Sequence, residues 1–258
     1  MKSIVSRDNP HFKELRRWAA QGRARREARV VLLEGVHLLE GFLDAGYSLE
    51  EVIVSESGAE RDEIAVWLSI HPVLKVVQLP DRLFAELVSS ETPQGILGVG
   101  RIETPEVSPD LSADSVLLDG VQDPGNLGTL MRTAAAAGFR QLMLGPGCAD
   151  PWSAKALRAG QGAQLLLELH ETSAPVEMVR SFRGVSIVTR LDASTSLYDA
   201  DLRGPLLWVF GAEGQGVSEP VASAAKCAIS IPMPGGTESL NVAAAAAICL
   251  FEAVRQRR

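Results

Sequence analysis

Residues 115–144, SVLLDGVQDPGNLGTLMRTAAAAGFRQLML, decide the fold class. Val116–Asp119 is an apolar run that predicts a buried strand, Leu127–Ala137 predicts a helix, and Gln141–Leu144 predicts a second strand. Leu127, Leu130, Met131 and Ala134 recur at helical spacing and form a buried stripe. Strand, helix and strand in such close succession is the unit from which parallel sheets are built.

The alternation continues downstream. Helices are expected at Ser153–Ala159, Pro175–Phe182 and Glu219–Ala225, and a last one from Ser239 to Arg255. Strands are expected at Leu165–Leu169, Val185–Thr189, Leu206–Phe210 and Ala228–Ile231. Upstream, Pro10–Gln21 reads as a basic helix, Val36–Ala45 as an amphipathic one, and Glu60–Leu68 and Asp81–Ser89 as two more. The intervening strands are Val30–Leu33, Val52–Val54, Leu74–Gln78 and Ile96–Gly100. Between the two series, 101–114 is rich in acids and proline and has no apolar period, so it reads as an interdomain linker. The division expected is 1–100, a linker at 101–114, and 115–258.

Open parallel sheets bind ligands beyond the carboxyl ends of their strands. Three loops rich in glycine or proline lie there. The first, Asp119–Asn126, leads into a helix that carries Arg132. By spacing alone Asn126 is an N-cap and Arg132 a solvated helix arginine. The second, FGAEGQG (210–216), places Glu213 among glycines but lacks the G-x-G-x-x-G spacing of a dinucleotide loop. The third, IPMPGGTESLN (231–241), has a backbone fixed by prolines and glycines, with Ser239 as the expected cap of the final helix. Ala243–Ala247 makes that helix thin enough for close packing against another.

Composition bounds the function. The chain has 258 residues and a net charge of −7. Residues 1–30 hold nine basic and three acidic side chains, +6, which leaves −13 on the other 228. A basic arm on an acidic body is either an anion-binding surface or a solvated face. The longest apolar run, Val242–Phe251, has 10 residues, short of the ~18 a membrane span needs. The N-terminus lacks a signal-peptide core, and Cys148, Cys227 and Cys249 fit neither a zinc site nor a disulfide framework. Histidines at 11, 37, 71 and 170 are scattered, so neither a metal nor a histidine-based hydrolase is expected. The expected location is the reduced cytoplasm.

Taken together, DPGNLGTLMRTAAAAGF (123–139), LLWVFGAEGQGVS (206–218) and ISIPMPGGTESLNVAAAAAICLFEAVRQ (229–256) resemble the three motifs of the SpoU (TrmH-like) family, RNA ribose 2′-O-methyltransferases of the SPOUT superfamily. Their order and separation match as well. SRDNPHFKELRRW (6–18), LLEGVHLLEGFLDAG (32–46) and TPQGILGV (92–99) are similar to that family's substrate-binding domain, itself akin to ribosomal proteins that bind kinked RNA.

The resemblance implies an α/β protein: an N-terminal ribosomal-protein-like RNA-binding domain, then a SPOUT domain with a parallel sheet and a deep trefoil knot, dimerising through that C-terminal domain. It implies S-adenosylmethionine as cofactor and no metal. Asn126, Arg132, Glu213, Ser239 and Asn241 match the motif residues of the catalytic pocket, with Arg132 activating the ribose 2′-hydroxyl. Thr189, Leu191, Gly211, Ala212, Gly214, Ile231, Met233 and Leu240 fall where the family holds its cofactor. Arg7, Lys13, Arg16, Arg17, Arg25 and Arg26 would hold RNA phosphates, giving register rather than base specificity. Glu238 departs from the small polar residue of many relatives, beside the site.

A guanidinium is a poor base, so hydrogen-bond activation by Arg132 suits the chemistry better than complete deprotonation. The expected substrate is structured RNA, 23S ribosomal RNA before transfer RNA. The alternatives are a non-catalytic RNA-binding relative and a dinucleotide-dependent enzyme. The latter would need a G-x-G-x-x-G where residues 120–126 read GVQDPGN.

Overall fold

The computed structural model describes residues 2–90, 92–102 and 108–258. Two compact units make up the chain: Met1–Pro105 with Trp152–Leu157, and Glu106–Pro151 with Arg158–Arg258.

In chain order the first unit contains β1 (Lys2–Ser3), α1 (Pro10–Ala20), α2 (Gly22–Ala28), β2 (Val30–Glu34), α3 (Val36–Asp44), β3 (Leu49–Ser55), α4 (Glu56–Ala59), α5 (Asp62–Ile70), β4 (Val76–Leu79), α6 (Asp81–Phe84) and β5 (Ile96–Arg101). Its sheet runs β1-β4-β3-β5-β2. This sheet is mixed, because β5 is antiparallel to both β2 and β3. Alternation of helix and strand predicts a parallel sheet; here β5 enters from the turn at 92–95 rather than through a crossover helix. Gly95 makes that turn possible: its φ is +87°, and a Cβ on it would run into the backbone of Gly58.

Helix α1 lays Phe12, Leu15 and Trp18 against Leu32, Ile53, Val77 and Val99 of the sheet. Asn9 caps it by accepting from the His11 and Phe12 amides. His11 Nε2 lies 2.6 Å from the Glu51 carboxylate on β3, and Lys75 Nζ lies 2.8 Å from its other oxygen. Glu51 is 4% exposed, so this buried carboxylate is doubly paired and pins the basic helix to the sheet. Helix α2 is not evident in the sequence, since only Ala24 and Arg25 of its seven residues are buried. The helix expected over Asp81–Ser89 ends at Phe84 and continues as turns.

The second unit contains β6 (Ser115–Asp119), α7 (Pro124–Ala136), β7 (Gln141–Leu144), α8 (Ala154–Gly160, whose first residues count with the other unit), β8 (Glu168–Glu171), α9 (Pro175–Ser181), β9 (Val185–Thr189), β10 (Thr195–Ser196), β11 (Leu206–Gly211), α10 (Glu219–Ala224), β12 (Cys227–Ser230) and α11 (Val242–Gln256). A 3-10 turn, Ala163–Leu166, takes the start of the strand expected at Leu165–Leu169. The seven strands run β10-β12-β9-β11-β6-β7-β8, and every pairing is parallel. Parallel strands are buried on both faces, which is why β11 reads LLWVFG without alternation and is buried throughout. One side of the sheet packs Leu117, Val188, Leu207 and Val209 against Val179 and Phe182 of the α9 segment and Val221 of α10. Helix α11 packs on α7.

Within the expected linker, 103–107 lies outside the described residues. Residues 108–114 belong to the second unit: Asp110 exchanges hydrogen bonds with the buried Gln141 (2.6 and 3.1 Å), Arg183 N donates to Leu111 O (2.8 Å), and Asp114 accepts from Leu206 N (2.9 Å) and from Arg257 Nη2 (3.0 Å).

Candidate active site

The three loops singled out in the sequence lie beyond carboxyl ends of neighbouring or near strands, β6, β11 and β12. In the first, Asp123 rather than Asn126 caps α7, accepting the Asn126 amide at 2.9 Å, with Pro124 in the first turn. Proline at the first helical position carries that signal, since it has no N–H to lose there. The Asn126 side chain is thereby left for other partners. In the third loop the cap of α11 is Asn241 rather than Ser239: its Oδ1 accepts from Ala243 N (2.9 Å) and Ala244 N (3.3 Å).

With Asn241 Oδ1 committed to the helix, its Nδ2 donates to Asn126 Oδ1 at 3.0 Å. Asn126 Nδ2 in turn donates to Glu213 Oε1 at 2.8 Å. One directed chain of hydrogen bonds therefore joins all three loops, and it ends on a carboxylate. Burial pushes the Glu213 carboxyl up, but hydrogen bonds from Asn126 and from the Glu213, Gln122 and Asp123 amides outweigh it and hold the group below the usual glutamate range.

Glu213 reaches Asn126 because the second loop doubles back. Gly216 N donates to Ala212 O at 2.9 Å, and Gly214 and Gly216 both have positive φ. Gly211 pairs with Asp119 at the end of β11, and a Cβ on it would overlap the Gly216 carbonyl and the Val217 nitrogen. Asp119 Oδ2 accepts Ser218 N at 2.8 Å, fastening the far end of the loop to β6.

The expected cofactor residues also collect at strand ends. Thr189 closes β9, where it pairs with Ile229; Ile231 follows β12; Gly211 closes β11; and β12, β9 and β11 are consecutive in the sheet. Arg190 holds the loop after Thr189, donating its amide to Ile229 O (2.8 Å) and its guanidinium to Asp192 (3.0 Å) and Glu219 (3.5 Å). Leu191, two residues past β9, is 67% exposed, and Leu240, in the loop before α11, is 38% exposed. Ala212 and Met233 are half-buried, and Gly214 is exposed.

Arg132 and Ser239 are not drawn into the hydrogen-bonded chain. Both are exposed, and neither side chain makes a hydrogen bond or ion pair among the described residues. Arg132 lies six residues beyond Asn126, ~9 Å along the helix axis.

The expected RNA-binding residues separate into three groups. Arg25 is corrected: it is 8% exposed and donates to Trp18 O at 2.7 Å, so its guanidinium braces the end of α1 rather than meeting a phosphate. Arg7 and Arg16 converge on one oxygen of Glu86 (2.8 and 3.4 Å), and Lys13 pairs with Asp8 (2.9 Å). Arg17 and Arg26 are exposed with no ion pair among the described residues. Glu86 left no mark in the sequence, because its partners lie 70 and 79 residues away. Among the described residues no helix is long and apolar enough to cross a membrane, and no group of histidine, cysteine or acidic side chains is arranged to hold a metal.

A sheet, three converging loops and an asparagine–glutamate chain of this kind define a class. Residues 114–251 match the SpoU rRNA Methylase family, and residues 9–98 match an MRM3-like substrate binding domain. The chain belongs to the SpoU rRNA methylase family. Among its relatives are an uncharacterized tRNA/rRNA methyltransferase of Synechocystis sp. (33% identical, 99% of this chain, 94% of the relative) and the 23S rRNA (guanosine(2553)-2′-O)-methyltransferase RlmP of Bacillus subtilis (31%, 97% and 98%). An AdoMet-bound rRNA methyltransferase from Sinorhizobium meliloti superposes with a TM-score of 0.83 at 29% identity, over 98% of this chain and 97% of that one.

Proposed function

We propose that this protein transfers a methyl group from S-adenosylmethionine to a ribose 2′-hydroxyl of 23S ribosomal RNA. The observation that carries the reading is the chain Asn241–Asn126–Glu213, which joins the three motif loops at the carboxyl end of a parallel sheet. The names of the relatives and the AdoMet-bound neighbour support both substrate and cofactor.

The strand ends fit the cofactor chemically. They offer backbone groups from glycine-rich loops and the exposed apolar surfaces of Leu191 and Leu240, which suit an adenosine and a methionine chain better than a phosphorylated ligand. Thr189, Leu191, Gly211, Ala212, Gly214, Ile231, Met233 and Leu240 would hold it. When bound, S-adenosylmethionine supplies an electrophilic methyl. The protein's part is placement: with the nucleophile in line, orientation removes much of the barrier. Arg132 orients the ribose hydroxyl, Asn126 and Asn241 fix Glu213, and Ser239 completes the pocket wall.

Residues 1–100 form the substrate-binding domain, and the methyltransferase domain begins before Ser115, since 108–114 are bonded into the second unit. Arg7, Lys13, Arg16, Arg17 and Arg26 hold phosphates on α1, the turn before it and α2. The same reading gives a cytoplasmic homodimer joined through the C-terminal domain and a trefoil knot. The non-sequential order β12-β9-β11-β6 and the return of α11 onto α7 are compatible with that knot.

The test is methyl incorporation from labelled S-adenosylmethionine into unmodified ribosomal and transfer RNA, separated by size and digested to nucleosides. Label in a 2′-O-methylated nucleoside of 23S RNA, lost with Arg132→Ala, is the expected result. Label in transfer RNA alone would move the substrate. Absence of label from every fraction, with cofactor binding verified, would leave an RNA-binding relative instead of an enzyme.

A further inference from the structure

We propose that the side of the first unit opposite its basic helices docks a basic protein segment with aliphatic side chains, of the kind that accompanies ribosomal RNA in a ribonucleoprotein particle. The choice of particle rests on the methyltransferase reading above. Val66 and Ile70 lie one turn apart on α5 and are 62% and 64% exposed; Val73, on the turn that follows, is 95% exposed. A single exposed aliphatic is ordinary. These three fall within residues 66–73, and among the large apolar residues described in this unit Val5 is the only other so exposed. An apolar patch of this kind on a folded domain marks a contact surface.

The stripe stands on a firm base. On its inner side α5 buries Ile64 and Trp67. The His71 ring lies 4.3 Å from the Trp67 ring, and its Nδ1 is 2.9 Å from Trp67 O. His71 N and Leu74 N close the following turn by donating to Leu68 O and His71 O, both at 3.2 Å. A surface held this way has little freedom left to lose when a partner covers it. It also faces away from α1. Helix α3, which α5 touches, sets Leu39 and Phe42 over Gly98 and Gly100 of β5, whereas α1 packs over Leu97 and Val99. Successive residues of a strand point to opposite faces of its sheet, so α1 and α5 lie on opposite sides.

Charge identifies the occupant. Residues 36–70 hold eight acidic side chains against Arg61 alone, a balance of −7, where residues 1–30 carry +6. Glu40 and Asp44 on α3, Glu60 before α5, and Asp62 and Glu63 in its first turn are exposed and make no ion pair among the described residues. Asp62 stands one turn before Val66, in line with the stripe. Such a face turns RNA away, because carboxylates repel phosphates and aliphatic side chains give a base nothing to stack on. A second copy of this chain fits no better. Two-fold pairing would set these acids against themselves, and head-to-tail pairing would occupy the basic helices that the RNA needs. A cationic segment bearing Leu, Ile or Val satisfies both halves of the surface, covering the stripe and pairing with its acidic rim.

The experiment measures, by analytical ultracentrifugation, binding of the full chain to deproteinised 23S RNA and to core particles reconstituted from that RNA and purified large-subunit proteins. The wild type should bind the particles roughly tenfold more tightly than the RNA alone, the effect of one good anchor. Val66→Gln with Ile70→Gln and Val73→Ser removes the stripe, and glutamine is the better helix former at the first two positions. This variant should lose the advantage on particles, while its Tm and its binding and methylation of RNA alone stay at wild-type values. Asp62→Lys with Glu63→Lys should weaken binding to particles and strengthen binding to RNA alone. Val73→p-benzoylphenylalanine should crosslink, on irradiation, to a basic large-subunit protein. Equal wild-type affinity for particles and RNA, unchanged particle affinity in the stripe variant, or a crosslink to RNA or to a second copy of this chain each overturns the docking surface alone. Failure of the wild type to methylate either substrate overturns the reading beneath it, while the binding difference between wild type and variant still reports on the surface.

Discussion

Asn241 serves two masters with one amide: its oxygen caps α11 through Ala243 N and Ala244 N, and its nitrogen donates to Asn126 at 3.0 Å. Stability and site geometry therefore meet in a single side chain, and two substitutions separate them. Asn241→Ala loses the cap, worth ~1 kcal/mol, and should lower Tm by ~2–4 °C together with the rate. Asn241→Asp keeps the acceptor and loses the donor, so Tm should hold while methyl transfer falls. Differential scanning calorimetry beside a methylation assay reads both, and equal losses of Tm in the two variants would contradict the division.

Arg132 stands on the exposed side of α7 with no hydrogen bond or ion pair among the described residues. Arg132→Ala should leave Tm unchanged within ~0.5 kcal/mol of stability, leave cofactor affinity nearly intact, and abolish methyl transfer. Retained turnover would remove Arg132 from the mechanism.

Two arginines on the same helix, α2, should respond in opposite ways. Arg25→Ala strips a buried donor from Trp18 O and should cost ~1–3 kcal/mol of stability. Arg17→Ala and Arg26→Ala, on exposed arginines of α1 and α2, should leave Tm alone, weaken RNA binding, and flatten its salt dependence by ~0.9 in log–log slope per lost phosphate contact. An unchanged slope would return α1 and α2 to a solvated face.

Gly211→Ala tests the fold-back of the second loop. Because the new methyl meets backbone rather than a movable side chain, the loop must open, carrying Glu213 away from Asn126. Cofactor affinity and the rate should both drop at least tenfold. Wild-type kinetics in this variant would show that the loop has another conformation at no cost.

Much of this was legible in advance, and the losses have identifiable causes. β6, β9 and β11 announce themselves because buried parallel strands are continuous apolar runs. The two caps are ambiguous in the sequence because each loop offers two cap-forming residues, Asp123 and Asn126 in one and Ser239 and Asn241 in the other. Pro124 resolves the first pair; nothing local resolves the second. The antiparallel course of β5 and the two-residue edge strands β1 and β10 are set by pairing partners far along the chain, which no local period encodes. Arg25 looked like its neighbours because charge is visible in a sequence and depth is not.

The strand order also governs how the native state is reached. β6 comes first in its sheet, yet it lies between β7 and β11, with Ser115 opposite Leu207. Until β11 arrives, one edge of β6 presents unpaired amides and an apolar surface to whatever is nearby. Such distant pairing is slow, on the order of milliseconds to seconds or longer, since loop closure must precede the contacts that reward it. Refolding from denaturant should therefore regain helical signal well before methyl transfer. Aggregation in that interval should grow with protein concentration, because the exposed edge of β6 is the natural template for a second unfinished chain.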